Sequence, residues 1–178
     1  MIELFTIGHA AHPIDEFVGL LRASEVAVLA DVRRAPGSRH APQFNADALA
    51  AAMRAVGIAY LHLPELGGWR KTVPGSPNGA WTNASFRGYA DHMATPEFER
   101  GIGRVVAAAA AGPTACMCAE GVWWQCHRRL LADALLARGH AVRHILPDGR
   151  VEDHALMPAA VVDGTTVTYP PQQQSLGI

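Results

Sequence analysis

Neither sign of charge is in excess in this chain: 15 Lys plus Arg stand against 16 Asp plus Glu, a formal net charge of -1 with the 9 His neutral. A sequence pI near 6.7 removes the simplest argument for a nucleic-acid binder, a general basic excess, and leaves only a local basic patch as a route to such a partner. Cysteine is scarce as well. Three of them, an odd number in a chain of 178 residues, exclude a disulfide framework and point to a reducing compartment. Long apolar runs are missing, since the longest, residues 105–111, stops at Gly112 and is far too short to span a bilayer. The start, Met1-Ile2-Glu3-Leu4, has no basic stretch followed by an apolar one, so the expectation is a cytoplasmic protein with no membrane partner. What the chain does have is apolar content. A hydrophobic fraction of 49% against 17% charged residues is enough to fill the core of one ordinary domain and too much for a disordered chain.

Short apolar runs and helical stripes alternate along the sequence. Residues 4–7 are a strand-like run that stops at Gly8-His9, and residues 13–24 carry Ile14, Phe17, Leu20 and Leu21 at helical spacing behind Pro13. Residues 26–32 give a second strand ending in Asp31-Val32-Arg33-Arg34, followed by a loop over 35–44 that bears Arg39 and His40. Asn45 caps a helix striped by Leu49, Met53 and Val56, and a third strand over 58–63 leads into Pro64-Glu65-Leu66-Gly67-Gly68. Residues 69–83 are too long for an ordinary connection and form a candidate lid.

A short helix is predicted over 85–93, a longer one from Thr95-Pro96-Glu97 to Ala111, and a fourth strand over 114–119. A turn over 120–124, a helix over 125–138 and a fifth strand over 141–146 follow. Asp148-Gly149 turns the chain out, a hairpin is expected over 161–169, and the chain from Pro170 reads as a loose tail. This alternation predicts an α/β three-layer sandwich, with a mainly parallel five-stranded sheet and helices on both faces. The division is a single domain over 1–158, with 159–178 as a C-terminal hairpin and tail.

In such sheets ligands bind outside the carboxyl ends of the strands. Those exits carry Gly8 and His9, then Asp31, Arg33 and Arg34, then Glu65, then Cys118 and Glu120. The fourth exit continues through Trp123, Trp124, Cys126, His127 and Arg128 into a helix, whose N-terminus is an anion site with a guanidinium beside it. The same field lowers the pKa of Cys126. Cys126 and His127, adjacent on that helix, diverge, so His9 or His127 acting on Cys118 is favoured over His127 acting on Cys126.

Each signal has a plainer reading beside it. Cysteines are commonly buried for packing, Asp31 with Arg33 or Arg34 can be an ion pair that pins a loop, the tryptophans can cover the core edge, and Arg128 can cap carbonyls. Cys116, Cys118, Cys126 and His127 offer zinc ligands, but a C-x-C inside a strand departs from the usual spacing, so no metal site is assigned and no cofactor is named. Neither a C-x5-R cradle starting at Cys118 nor a Walker loop is present.

Together, Thr6-Ile7-Gly8-His9, Asp31-Val32-Arg33, Ser38-Arg39, residues 63–68, Phe86-Arg87-Gly88-Tyr89 and Cys118-Ala119-Glu120 with Cys126-His127-Arg128 resemble the domain of unknown function 488 family, over residues 4–154. Ser76-Pro77-Asn78 and residues 81–93 resemble the branch of that family with a long middle loop. Trp69 departs from it, standing where an Arg is more usual. The resemblance implies a single α/β domain and supplies no reaction.

The residues point to an enzyme acting on an anionic or phosphate-bearing substrate, a nucleotide or a nucleic-acid end. Cys118, Glu120, Cys126, Glu65 and Asp31 are the catalytic candidates, as carboxylate acid/base groups and thiol nucleophiles. His9, Arg33, Arg39, His127, Arg128 and Trp124 are the binding candidates. A non-catalytic nucleotide or nucleic-acid binding module is the alternative.

Overall fold

The structure is a computed structural model that describes residues 1–171. Eight strands and five helices follow one another as β1 (Glu3–Gly8), α1 (Ile14–Ala23), β2 (Val28–Asp31), α2 (Ala46–Ala55), β3 (Ala59–His62), α3 (Ala84–His92), α4 (Pro96–Ala111), β4 (Thr114–Cys118), α5 (Arg128–Ala137), β5 (Ala141–Ile145), β6 (Val151–Asp153), β7 (Val161–Asp163) and β8 (Thr166–Thr168). Short 3-10 turns at Pro42–Phe44, Pro64–Leu66 and Trp123–Gln125 stand at strand exits or helix entries.

The helix starts follow local chemistry. Thr95 accepts from the Phe98 N–H and Pro96 takes the first helical position of α4, where a missing N–H costs nothing. Asn45 stands before α2 but does not cap it; its Oδ1 accepts from the Ser38 N–H at 2.6 Å and pins the loop above the sheet instead.

Six strands form the main sheet, in the order β3-β2-β4-β1-β5-β6. The sheet therefore has one strand more than the five expected. The additional β6 pairs antiparallel with β5 through Val151 opposite Ile145, and it is only three residues long, too short to carry an alternation. The other five strands are parallel. Helices α1 and α2 cover one face, where Phe17, Leu21, Leu49 and Met53 meet Ala115 and Met117 of β4. Helices α3, α4 and α5 cover the other, where Tyr89, Phe98, Val105 and Leu131 meet Cys116 and Cys118. Strand alternation thus sends Cys116 and Cys118 of β4 to one face and Ala115 and Met117 to the other.

The β7–β8 hairpin packs back on the domain. Val167 and Tyr169 are buried in the α3–α5 core, and the Tyr169 N–H donates to Asn78 Oδ1 at 2.9 Å. Of the tail expected from Pro170, residues 172–178 lie outside the described residues. Among the described residues no helix is long and apolar enough to cross a membrane.

Two central strands set the position of the site. The β1–β2 connection passes over β4 on the α1 face and the β4–β5 connection passes over β1 on the α5 face, so the chain leaves these two neighbouring strands toward opposite faces of the sheet. A crevice opens at that switch point. Gly8 and Cys118 are register partners there, one residue from either lip.

Candidate active site

A cavity of about 490 Å3 lies over the β1–β4 switch point. Its walls include His9, Arg33, Arg34, Ser38, Trp69, Phe86, Cys118, Glu120, Cys126 and His127. Four strand exits converge on it or its margin, and the β2 and β4 exits supply most of the charged or nucleophilic groups.

The β2 exit builds a fixed cation. Asp31 is fully buried, and its Oδ1 accepts from the Arg33 backbone N–H at 3.1 Å and from Nε at 2.9 Å. Its Oδ2 accepts from Arg33 Nη2 and from the Tyr60 hydroxyl, each at 2.7 Å. Burial and this carboxylate push the Tyr60 phenol upward, which keeps it a donor. Arg33 Nη2 also donates to the Phe44 carbonyl at 2.7 Å. Only Nη1 is left, 3.4 Å from His9 Nε2. Asp31, expected among the catalytic groups, has both oxygens occupied and is the group that orients Arg33.

His9 is stacked on Phe44, with ring centroids 4.1 Å apart, and is held to a pKa of about 4 by burial, then by the Arg33 charge. It is neutral at pH 7, with one acceptor nitrogen. The Ala11 N–H takes that nitrogen, donating to Nδ1 at 3.1 Å. The ring proton is therefore on Nε2, facing Arg33 Nη1. Nε2 and Nη1 stand side by side on the cavity wall, 3.4 Å apart. This turn is held under strain, because Ala10 and Ala11 both have positive φ, of 47° and 54°. Such values cost about 1–2 kcal/mol each for residues with a side chain. The His9 N–H to the Cys118 carbonyl and the Ala10 N–H to the Ala119 carbonyl offset part of that cost.

The β4 exit gathers sulfur. All three cysteines are free. Helix α5 begins at Arg128 rather than at Gln125, and Cys126 is extended at φ -132° and ψ 156°. The side chains of Cys126 and His127 consequently do not diverge as two helical neighbours would, and Sγ lies 3.5 Å from Nδ1. This overturns the expectation that Cys126 and His127 point apart. Ligand atoms of Cys118, Cys126 and His127 all stand within 4.8 Å of one another. Burial works against a charged Cys126, but the Cys118 thiol, the Arg128 guanidinium and the Arg128 N–H outweigh it and bring its pKa to about 6. Burial pushes Cys116 up to about 12 and raises Cys118. Burial also holds His127 below the ordinary imidazole value.

Arg128 does not reach the cavity as a free guanidinium. It is fully buried, with Nη2 donating to the Glu120 carbonyl at 2.5 Å and Nη1 lying 3.5 Å from Thr6 Oγ1. Gly8 makes this approach feasible, because a Cβ there would overlap the Glu120 carbonyl oxygen and crowd Arg128 Nη2. The N-terminal field of α5 falls on Cys126, not on an open anion pocket. Arg128 also joins a buried chain that no local motif announces. Asp133 accepts from His154 Nε2 at 2.8 Å and from the Tyr169 hydroxyl at 2.7 Å. These partners orient the rest: His144 Nε2 donates to His154 Nδ1 at 2.9 Å, and the Thr6 hydroxyl donates to His144 Nδ1 at 2.6 Å. Thr6 then offers a lone pair toward Arg128. Trp123 stacks on His144 at 4.2 Å and shields this chain from solvent.

The remaining expected residues stand elsewhere. Glu65 is turned toward α4, where Oε1 accepts from Arg104 at 2.6 Å; burial opposes ionisation, yet its own N–H and Arg104 lower its pKa, the reverse of a raised general acid. Glu120 is exposed on the cavity rim. Arg39 is exposed on the loop beyond Ser38, and Trp124 packs edge-on against Trp123 outside the cavity. The loop held as a lid is tied down: Asp91 accepts from the Val73 N–H, Ser76 and Asn78, and Arg70 binds Glu97 through Nη1 at 3.0 Å. Residues 71–75 stay exposed, and Trp69 projects at the cavity mouth, 82% exposed with φ 58°.

Arg34, Ser38, Phe86 and Trp69 line the cavity without having been singled out as site residues. Arg34 could have been found from its place beside Arg33 at a strand exit, and Ser38 from the Ser-Arg pair.

The fold and this constellation define an α/β protein with a candidate site at a sheet switch point. The profile of the family described as Domain of unknown function DUF488 matches residues 13–135, well over half of the chain, and the chain belongs to that family. No curated protein and no solved structure matches the chain.

Proposed function

We propose that the cup is the active site of an enzyme acting on an anionic, phosphate-bearing substrate. The observation that carries this reading is Arg33 Nη1, the one guanidinium nitrogen that Asp31 and Phe44 leave untaken, standing on the cavity wall beside His9 Nε2 at 3.4 Å. An oxyanion oxygen seated there satisfies both, and Asp31 has already fixed the guanidinium, so little side-chain entropy is lost on binding. The same cavity carries the reactive groups, Cys118, Cys126 and His127, with the exposed Glu120 beside them. A nucleotide or a nucleic-acid end fits better than a bare phosphate, because the exposed Trp69 offers a face for a base at the mouth.

The test is calorimetric titration of the full chain with inorganic phosphate, pyrophosphate and mononucleotides. Replacing Arg33 alone strands a buried carboxylate, so the variant is the pair Asp31→Asn with Arg33→Gln, which removes both charges together. It is expected to weaken anion binding by about tenfold or more while the chain stays folded. Equal affinity in variant and wild type, or no affinity for any of these anions in the wild type, contradicts the reading. With an anion that binds, Glu120→Gln separates the two classes of function: an enzyme loses turnover and keeps affinity, whereas a binding module has no turnover to lose.

A further inference from the structure

We propose that Cys118, Cys126 and His127 form a binding site for a soft, zinc-class divalent cation whose fourth coordination position opens into the cavity. Their ligand atoms stand within 4.8 Å of one another. In a tetrahedral centre with bonds of about 2.1 Å to nitrogen and 2.3 Å to sulfur, ligands stand about 3.5–3.8 Å apart, so closure needs movements of about 1 Å or less. Two sulfurs and one imidazole are soft and borderline donors, which select zinc-class ions over magnesium or calcium.

The backbone holds these donors from three different local structures. Cys118 is the last residue of β4, Cys126 is an extended residue after a 3-10 turn, and His127 precedes the first turn of α5. Gly68 leaves room for the imidazole, since a Cβ there would stand 3.0 Å from His127 Nδ1.

The cluster has three members, not four. Cys116, on the same face of β4, is sealed in the α3–α5 core and stays out of the group. Among the described residues no fourth His, Cys, Asp or Glu joins the cluster, and three ligands make the arrangement that of a site with an open position. All three donors line the cavity, so that position is taken by water or by an oxygen of the bound anion. Arg128 follows His127 directly and is buried beside the cluster, its Nη2 held by the Glu120 carbonyl. The site stands apart from the substrate reading above, because metal uptake needs no substrate to be observed.

The test is cobalt titration of the full chain, prepared without a histidine tag, stripped with chelator and dialysed. A single Co2+ per chain is expected, with a sulfur-to-cobalt charge-transfer band and the intense ligand-field absorption of a four-coordinate ion, both displaced by Zn2+. Cys118→Ser and Cys126→Ser are expected to weaken binding roughly 100-fold and to diminish the charge-transfer band, and His127→Gln to weaken it roughly tenfold. Cys116→Ser is expected to leave stoichiometry and spectrum unchanged. Folded wild-type protein that takes up no Co2+, or takes it up without the charge-transfer band, overturns the site. Should the serine variants fail to fold, the wild type alone decides: Zn2+ is expected to slow alkylation of Cys126 by about tenfold or more, and an unchanged rate overturns the site. Metal uptake without anion affinity breaks the substrate reading only, and anion affinity without metal uptake breaks this one only.

Discussion

Two arginines stand at neighbouring strand exits, and the chain treats them in opposite ways. Arg33, after β2, meets a buried carboxylate that takes two of its nitrogens and leaves the third on the cavity. Arg128, after β4, meets two cysteines, two carbonyls and a hydroxyl, and its whole side chain is inside the protein. A cation neutralised from behind by a carboxylate can be shown to an anion without the desolvation cost of an unpaired charge. One compensated by polarizable sulfur and carbonyl dipoles acts instead on those groups, ionising a thiol and fixing the rim. Under the proposed function, the difference puts recognition on the β2 side and chemistry on the β4 side.

Breaking the β4 side has the largest expected effect. Arg128→Met leaves the Glu120 and Gly121 carbonyls and Thr6 without their buried donor, and is expected to lower stability by about 3–5 kcal/mol in urea denaturation. Asp31→Asn with Arg33→Gln, a swap of both partners, is expected to change it by only about 1–2 kcal/mol. Equal losses in the two variants would contradict the contrast.

Acid sharpens it next. Burial holds His9 to about 4 and His144 to about 3, both below the value an imidazole has in the unfolded chain. The unfolded chain therefore takes up protons first: their contribution is complete above about pH 6.5, declines as the pH falls toward 4 and is lost below 3. The melting temperature is expected to drop steadily across that window, by the equivalent of a few kcal/mol. A flat profile from pH 7 to pH 4 would show that the two rings are not buried neutral.

The smallest effect belongs to Trp69. At 82% exposed it buries little, so Trp69→Ala is expected to shift stability by no more than about 0.5 kcal/mol. Mononucleotide affinity should nevertheless fall several-fold, by the loss of about 1 kcal/mol of stacking, while phosphate affinity stays the same. A parallel loss for both ligands would assign Trp69 to the shape of the mouth and not to a base.

The strand exits were legible because apolar runs ending in Gly8-His9, in Asp31-Val32-Arg33 and in Cys118-Ala119-Glu120 each announce a buried strand with polar residues at its end. The sheet followed, except for β6, whose three residues carry no pattern. Within the site, His9, Arg33, Cys118, Glu120, Cys126 and His127 all line the cavity. Glu65, Asp31 and Arg128 show where spacing stops being informative. Which way a strand-exit side chain turns depends on partners far off in the chain, Arg104 for Glu65, Tyr60 for Asp31 and Thr6 for Arg128. The chain from Thr6 through His144 and His154 to Asp133 spans most of the sequence, and no local period points to it. The pairing of Cys126 with His127 turned on a three-residue error in where α5 begins, which decides whether neighbouring side chains splay or converge.

The most direct measurement is a crystal structure of the full chain with tungstate, an electron-dense oxyanion, beside the same crystal form without it. The expected result is one oxyanion in the cup with an oxygen within hydrogen-bond distance of both Arg33 Nη1 and His9 Nε2, facing Cys126 across the cavity. An empty cup at saturating tungstate, or an oxyanion that displaces the Glu120 carbonyl to reach Arg128 instead, would contradict it.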